Sequence, residues 1–313
     1  YKRQPHPLFP PTHPVSEDTV SIQSALQRKP RPISTALYRH PKGRLASLLT
    51  LPMVWLVGVY ILSLAIMLVT AFWTTDPFTS RVKPGFTLDN FAQLATVPAY
   101  GMTALRTLGI ALAVTLICAA FSVPLAVFMS QVAGPKLRAV LAVLVTLPLW
   151  AGYLVKVIGM RLVWTENGFF NWALEPLGIS GPGLGVLTVT LTLVYLWFPY
   201  MAIPVYTAVA QIPPNLFDAS SDLGARGFRT IRTVVAPLLM PSLIAGSIFT
   251  FSLSLGDYIS AMYVGGSTQM IGSIIAQNIN LNPPLAAAFS FVPIVLVIVY
   301  LGAVRRTGAL NNL

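Results

Sequence analysis

Gln211-Ile212-Pro213-Pro214-Asn215-Leu216-Phe217-Asp218-Ala219-Ser220-Ser221-Asp222-Leu223-Gly224-Ala225-Arg226-Gly227-Phe228-Arg229-Thr230-Ile231-Arg232-Thr233-Val234-Val235-Ala236-Pro237 is the most informative stretch of this 313-residue chain. The double proline stops a helix arriving from its N-terminal side and favours a fresh start, with Asn215 placed to cap it. Leu216, Phe217, Ser220 and Leu223 recur at helical spacing, which predicts an amphipathic helix of about eight residues, roughly 12 Å long. Gly224 is placed to end that helix in a left-handed cap. Phe228, Ile231 and Val235 then share one face of a second helix. The stretch reads as a helix–glycine–helix elbow between two long apolar runs.

Those runs set the class of the molecule. Charged residues make up only 9% of the chain, against about 25% in a soluble domain. Mean hydropathy is +0.72. So few charges cannot cover a water-facing exterior of this size, which excludes a soluble enzyme, a disordered protein and a disulfide-stapled secreted domain. The single cysteine, Cys118, excludes an internal disulfide and reads as a small buried hydrophobe.

A helix needs about 20 apolar residues to cross the hydrocarbon core. Gaps between charges predict six such spans: Leu51 to Trp73, about Leu108 to Met129, and a short one between Arg138 and Lys156. The others are about Leu184 to Ala208, one between Arg232 and Asp257, and about Leu285 to Val304. The third requires Lys156 to snorkel toward the interface. The first run lies behind more than 40 polar residues and is too long for a signal peptide. The predicted fold is an all-α membrane protein with six transmembrane helices. The period-two pattern of an outer-membrane barrel is absent.

Six spans return both ends to one face. Lys2, Arg3, Arg28, Lys29, Arg31, Arg39, Lys42 and Arg44 precede span one. Lys136 and Arg138 follow span two, Arg226, Arg229 and Arg232 follow span four, and Arg305 and Arg306 follow span six. These 15 of the 20 basic residues share one face, and the positive-inside rule makes that face cytoplasmic, N-in and C-in. The same segments hold Glu17, Asp18, Asp218 and Asp222, so they carry the whole excess of +11. Sidedness accounts for a charge that otherwise suggests nucleic acid. Residues 1–44 form a basic, Pro-rich cytoplasmic tail, expected to be flexible and to meet anionic lipid. Residues 45–313 form the membrane domain, with 211–233 as its cytoplasmic loop. The chain opens on Tyr1, so its numbering is expected to begin after the initiator.

Catalytic motifs are missing. No Gly is followed directly by Lys, so the Walker-type phosphate cradle is absent, as are HExxH and CxxC. The three histidines, His6, His13 and His40, all lie in the tail and supply no triad or metal site. No carboxylate sits mid-span; Asp257 stands at a span end. That disfavours a proton- or sodium-coupled carrier. No outer loop is long enough for a ligand-binding domain of its own.

Asp218-Ala219-Ser220, then Gly224-Ala225, then Val234 and Pro237 resemble the EAA–G–I–LP motif of ATP-binding-cassette (ABC) importer permeases. Asp218 stands where Glu is usual and Ala236 where Leu is usual. Leu147-Pro148-Leu149-Trp150, Asp222-Leu223-Gly224-Ala225, Pro237-Leu238-Leu239-Met240-Pro241, Phe249 to Tyr258 and Phe86 to Phe91 resemble the spermidine/putrescine branch. The resemblance runs from about Leu45 to the end. It implies a type I ABC importer permease fold in a bacterial plasma (inner) membrane. It further implies an ABC ATPase dimer that binds ATP and Mg, a second and non-identical permease, and an external or periplasmic solute-binding protein. This chain would carry no cofactor and no catalytic site of its own.

On that reading Asp218, Ala219, Asp222, Gly224 and Ala225 contact the ATPase, with Arg226 and Arg229 as rim partners. The alternative is an ordinary amphipathic connector, and topology alone accounts for the arginines. A polyamine pathway needs carboxylates and aromatic faces. Asp257 and Tyr258 at the end of span five, Trp197 and Tyr200 in span four and Tyr153 in span three supply both. Interfacial anchoring is the other reading of the aromatics. A secondary-active carrier or channel working without an ATPase is the alternative from a different class.

Overall fold

The structure is a computed structural model that describes residues 41–306 apart from Pro77, Ser80, Ile179 and Arg226. The tail up to His40, with its predicted flexibility, and the rim partner Arg226 lie outside the described residues. The chain forms two units, Tyr1–Leu64 and Ala65–Leu313. Helix α1 (Pro41–Thr70) supplies the described part of the first unit and opens the second.

The second unit is helical apart from a short antiparallel pair, β1 (Thr74–Thr75) and β2 (Val82–Lys83). Its further helices are α2 (Asp89–Thr96), α3 (Pro98–Val127), α4 (Pro135–Trp150), α5 (Tyr153–Trp164), α6 (Phe169–Leu174) and α7 (Val186–Ala210). After these come α8 (Pro214–Asp222), α9 (Gly227–Thr230), α10 (Ala236–Leu255), α11 (Ile259–Val264), α12 (Ile271–Asn278) and α13 (Pro283–Arg306). One wide π turn, Phe128–Val132, extends α3, and a second, Ile231–Val235, leads into α10.

Among the described residues, five helical stretches are long and apolar enough to span a membrane, and a bent pair supplies the sixth crossing if its halves act together. Two predicted boundaries move. Span two begins at Pro98, not near Leu108, because Pro98 opens the helix and the half-buried Arg106 rides within it. Span three ends at Trp150, after 16 residues. That is about 24 Å of helix, short of the roughly 30 Å hydrocarbon core. The chain breaks at Ala151 and Gly152, both extended, and resumes bent by 105°. Lys156 therefore belongs to α5, beyond the break, in the second half of the bent pair.

Helix α7 lies at the centre, with 56% of its apolar window buried. Val189, Leu193, Leu196, Met201, Val205 and Val209 on it pack with Ile110, Val114 and Cys118 of α3 and Leu239 of α10. Cys118 is a buried core hydrophobe, as its apolar surroundings predict. In hydrocarbon such packing gains from small residues that let helices approach. A Cβ on Gly246 of α10 would lie 3.1 Å from Met201 Cα and 2.7 Å from its sulfur. Buried hydroxyls turn back on their own helices: Thr107, Thr115 and Thr250 each donate to the carbonyl four residues earlier, at 2.7–2.9 Å.

Side chains also close the helix ends. Asn90 Nδ2 donates to Ala71 O (2.8 Å) and Trp73 O (2.9 Å), satisfying carbonyls left free where α1 stops. Arg138 donates from Nε to Met129 O (2.8 Å) and from Nη2 to Ser130 O (2.9 Å), closing the π turn after α3. In the β1–β2 hairpin Lys83 Nζ lies 2.6 Å from Asp76 Oδ2. That contact, with the Phe78 and Thr79 amides, holds the Asp76 carboxyl down at about 2.

Gly246→Val is expected to cost about 1–3 kcal/mol by overpacking the α7–α10 contact, seen as earlier loss of monodisperse protein on heating in detergent. Gly302→Val, where an added Cβ meets nothing within 4 Å, should leave that curve in place.

Candidate functional sites

The elbow forms as a helix, a glycine turn and a second helix. Pro213 precedes it and Pro214 takes the first helical position, so Asn215 lies inside the first turn and does not cap it. The nine-residue α8 ends in a Schellman turn. Ala225 N–H donates to Ser220 O (3.1 Å) and Gly224 N–H to Ser221 O (2.9 Å), with Gly224 at φ 77°. Only glycine adopts that φ without strain. The buried hydroxyls of Ser220 and Thr230 meet at 2.9 Å and tie α8 to the following helix.

The predicted apolar face needs correction at two positions. Ser220 turns inward, but Leu216 is 39% exposed and Leu223 87%. The Schellman hydrogen bonds end on the Ser220 and Ser221 carbonyls, and Leu223, the residue before Gly224, leaves the helix face there. Asp218, Ala219, Asp222 and Gly224 are exposed beside it, and Ala225 is half-buried. The second helix includes the π turn Ile231–Val235, in which Ala236 N–H bonds Ile231 O. In an unbroken α-helix the Pro237 ring would meet the Thr233 carbonyl, and the wide turn avoids it. The side chains of Phe217 and Phe228 lie outside the described residues.

Helices α3 and α7 run toward the elbow, and α13 runs toward it against α10, packing Val304 on Ile244. Lys136, Arg138, Arg229, Arg232 and Arg305 therefore gather at the elbow end of the second unit.

The second site lies toward the opposite end. A cavity of about 260 Å³ is lined by Tyr153, Trp197, Ser252, Leu253, Gly256, Asp257, Tyr258 and Ile259. Four of the five predicted pathway residues meet there. The fifth, Tyr200, lies edge-on to Trp197 at 5.8 Å between ring centroids. Tyr153 and Trp197 stack at 5.9 Å. Tyr153 opens α5, the second half of the bent pair, directly after the break.

Asp257 is 5% exposed. Its Oδ1 accepts from Ser260 N–H (2.8 Å), while its Oδ2 accepts from Ser260 Oγ–H (3.2 Å) and from Tyr153 Oη–H. It thereby caps the turn into α11. Lys156 Nζ stands 6.0 Å from the Tyr153 ring centroid, a cation–π approach one turn along α5. Trp197 Nε1 is buried and has no hydrogen-bond partner among the described residues.

Two features escape sequence reasoning. Ser260 completes the Asp257 network, and the Asp-x-x-Ser spacing of a helix cap was the signal for it. A second cavity, about 700 Å³, shares Gly256 and Tyr258 with the first. Ser267, Thr268, Gln269 and Gln277 line it with apolar neighbours, and none of its lining residues carries a formal charge. Among the described residues no three of His, Cys, Asp and Glu gather as metal ligands do.

Residues 122–307 match the family described as binding-protein-dependent transport system inner membrane component. The inner membrane ABC transporter permease protein YdcU of Escherichia coli (strain K12) is 38% identical, over 93% of this chain and 99% of its own length. The spermidine/putrescine transport system permease protein PotB of Salmonella typhimurium (strain SL1344) is 32% identical, over 75% of this chain and 84% of its own. The crystal structure of a bacterial ABC transporter that imports the acidic polysaccharide alginate shares the fold. Its TM-score is 0.65 at 18% identity, covering 88% of this chain and 99% of that one.

Ser220→Val removes one partner of a buried hydroxyl pair and strands Thr230, at about 1–3 kcal/mol. The expected result is faster amide exchange across 214–230, measured by mass spectrometry, with α7 unaffected.

Proposed function

This chain belongs to the family of binding-protein-dependent transport system inner membrane components, the permease subunits of ABC importers, and we propose that it imports polyamines in step with ATP hydrolysis by a separate ATPase. The observation that carries the solute class is the convergence of Asp257, Tyr153, Trp197 and Tyr258 on one cavity. A polyamine is a methylene chain bearing ammonium groups, and a buried carboxylate beside aromatic faces suits both parts. The PotB relatives, spermidine/putrescine permeases by name, favour the same solutes.

Asp218, Ala219, Asp222, Gly224 and Ala225 form the ATPase contact. Small residues, two carboxylates and the exposed Leu223 present a short convex surface suited to a groove. Gly224, at φ 77°, fixes the turn that presents this surface, and nothing lies within 4 Å of where its Cβ would stand. The ATPase dimer binds ATP and Mg; this chain supplies the mechanical link. A second, non-identical permease completes the pathway, and an external binding protein delivers the solute, as the family description implies. The basic cluster at the elbow end favours a cytoplasmic elbow with both termini on that side. Family membership disfavours a secondary carrier working alone.

The test is uptake of labelled spermidine and putrescine by the reconstituted complex. Ala219→Trp, on the exposed side of α8 and clear of the Gly224 turn, is expected to lower ATP-driven uptake at least about tenfold, equivalent to 1.4 kcal/mol of lost docking, and to weaken co-purification of the ATPase. Unimpaired uptake and assembly would sink the docking assignment. Asp257→Asn should cut polyamine uptake by roughly ten- to a hundredfold, the worth of a charge-assisted hydrogen bond. Wild-type rates in that variant would remove Asp257 from the solute path.

A further inference from the structure

Asp257 Oδ2 has no acceptor position to spare. A carboxylate oxygen offers two lone pairs, and those of Oδ2 meet Tyr153 Oη–H and Ser260 Oγ–H, while Oδ1 accepts from Ser260 N–H. The carboxylate is also almost wholly buried. An arriving ammonium group reaches Oδ2 only if one donor leaves.

The donors are not equivalent. The Ser260 amide sits on the turn that Asp257 itself caps, so its position is fixed by the main chain of α11, and the Ser260 hydroxyl is carried on the same residue. Tyr153 comes from another element. It is the first residue of α5, directly after the extended Ala151–Gly152 break, and its ring lines the cavity. It can withdraw while the Ser260 amide bond that holds the start of α11 stays in place, and its hydroxyl already has a second neighbour in Ser260 Oγ at 3.2 Å.

Resting on the polyamine reading, we infer that Tyr153 is a displaceable internal ligand of Asp257: a cationic solute's ammonium group takes its place on Oδ2 and breaks the hydrogen bond that ties the start of α5 to the Asp257 turn. The exchange keeps the number of donors on Oδ2, since one N–H replaces one O–H on the same oxygen, and the displaced Tyr153 hydroxyl turns its proton to Ser260 Oγ, 3.2 Å away. What it adds is charge pairing in a desolvated site. A neutral alcohol gains nothing by it, so the exchange selects cations. Between solutes the tyrosine keeps the buried carboxylate satisfied, which avoids the heavy cost of an unpaired buried charge. Tyr153 thus acts as a positioning and specificity-determining residue.

The test uses the complete importer in proteoliposomes, with spermidine and putrescine as probes. Tyr153→Phe keeps the ring and removes the competitor. KM is expected to fall by roughly two- to tenfold, the net worth of one hydrogen bond, and ATPase activity without solute to rise. A raised or unchanged KM with unaltered solute-free ATPase overturns the exchange. The failures separate cleanly: no polyamine uptake by the wild type overturns the solute reading and the exchange with it. Normal wild-type uptake with a wild-type-like Tyr153→Phe overturns the exchange alone. A second measurement does not depend on that variant's folding. With 3-fluorotyrosine incorporated at Tyr153, spermidine should shift the fluorine resonance and 1,8-octanediol should not. A shift from both, or from neither, in a transporting preparation counts against the proposal.

Discussion

Hydrocarbon offers the main chain no hydrogen bonds, so every amide and carbonyl at membrane depth must be satisfied by the protein itself. Uninterrupted helix is the simplest answer, and most of the second unit is built that way. The instructive places are where the helices stop. At each, a side chain or a turn takes over from the broken ladder: Asn90 at the end of α1, Arg138 after α3, the Schellman turn after α8 and Asp257 after α10. The residues assigned a role in transport cluster at two of these same breaks. A chain that must repair each interruption concentrates its polar chemistry there, and solute and partner contacts draw on the same polar groups.

The two candidate sites are joined by one element. From Ile231 to Leu255 the helix is continuous, 25 residues or roughly 37 Å, with the elbow at its start and Asp257 just beyond its end. Gly246 seats it closely against α7, and Tyr300 of α13 donates to Ser247 Oγ at 2.7 Å. A helix held along its length transmits displacement better than a loop. In the proposed importer, movement of the elbow by the ATPase therefore reaches the Asp257 turn without an intermediary.

Much of this was legible in the sequence, for identifiable reasons. Spans show because charges are rare, and the elbow shows because Pro213, Pro214 and Gly224 have local meanings that tertiary context does not override. The aromatics proposed for the pathway were legible as residue types. Their convergence was not, since it depends on the 105° break directly before Tyr153. Arg106 was misleading as a boundary because a half-buried arginine tolerates a place within a long helix. Asn215 was a plausible cap, but the proline before it already held the first helical position. Leu223 matched the apolar spacing of α8, yet it stands where the turn begins and faces outward. Periodicity describes a helix interior; it says less about the residue at which the helix ends.

The π turn at Ile231–Val235 carries a further consequence. A π turn fits one extra residue into a helix without ending it, and each residue of an α-helix occupies about 100° of rotation. The faces before and after the turn are therefore out of phase, so that Thr230 turns toward Ser220 while Val235 and Leu239 face the core. Change of length is then equivalent to change of direction. Losing a single residue between Ile231 and Val235 would preserve every span but set the Pro237 ring against the carbonyl four residues before it, so the helix would kink there and re-aim the elbow. Lineages that differ by one residue at this point would present the same elbow surface along a different bearing.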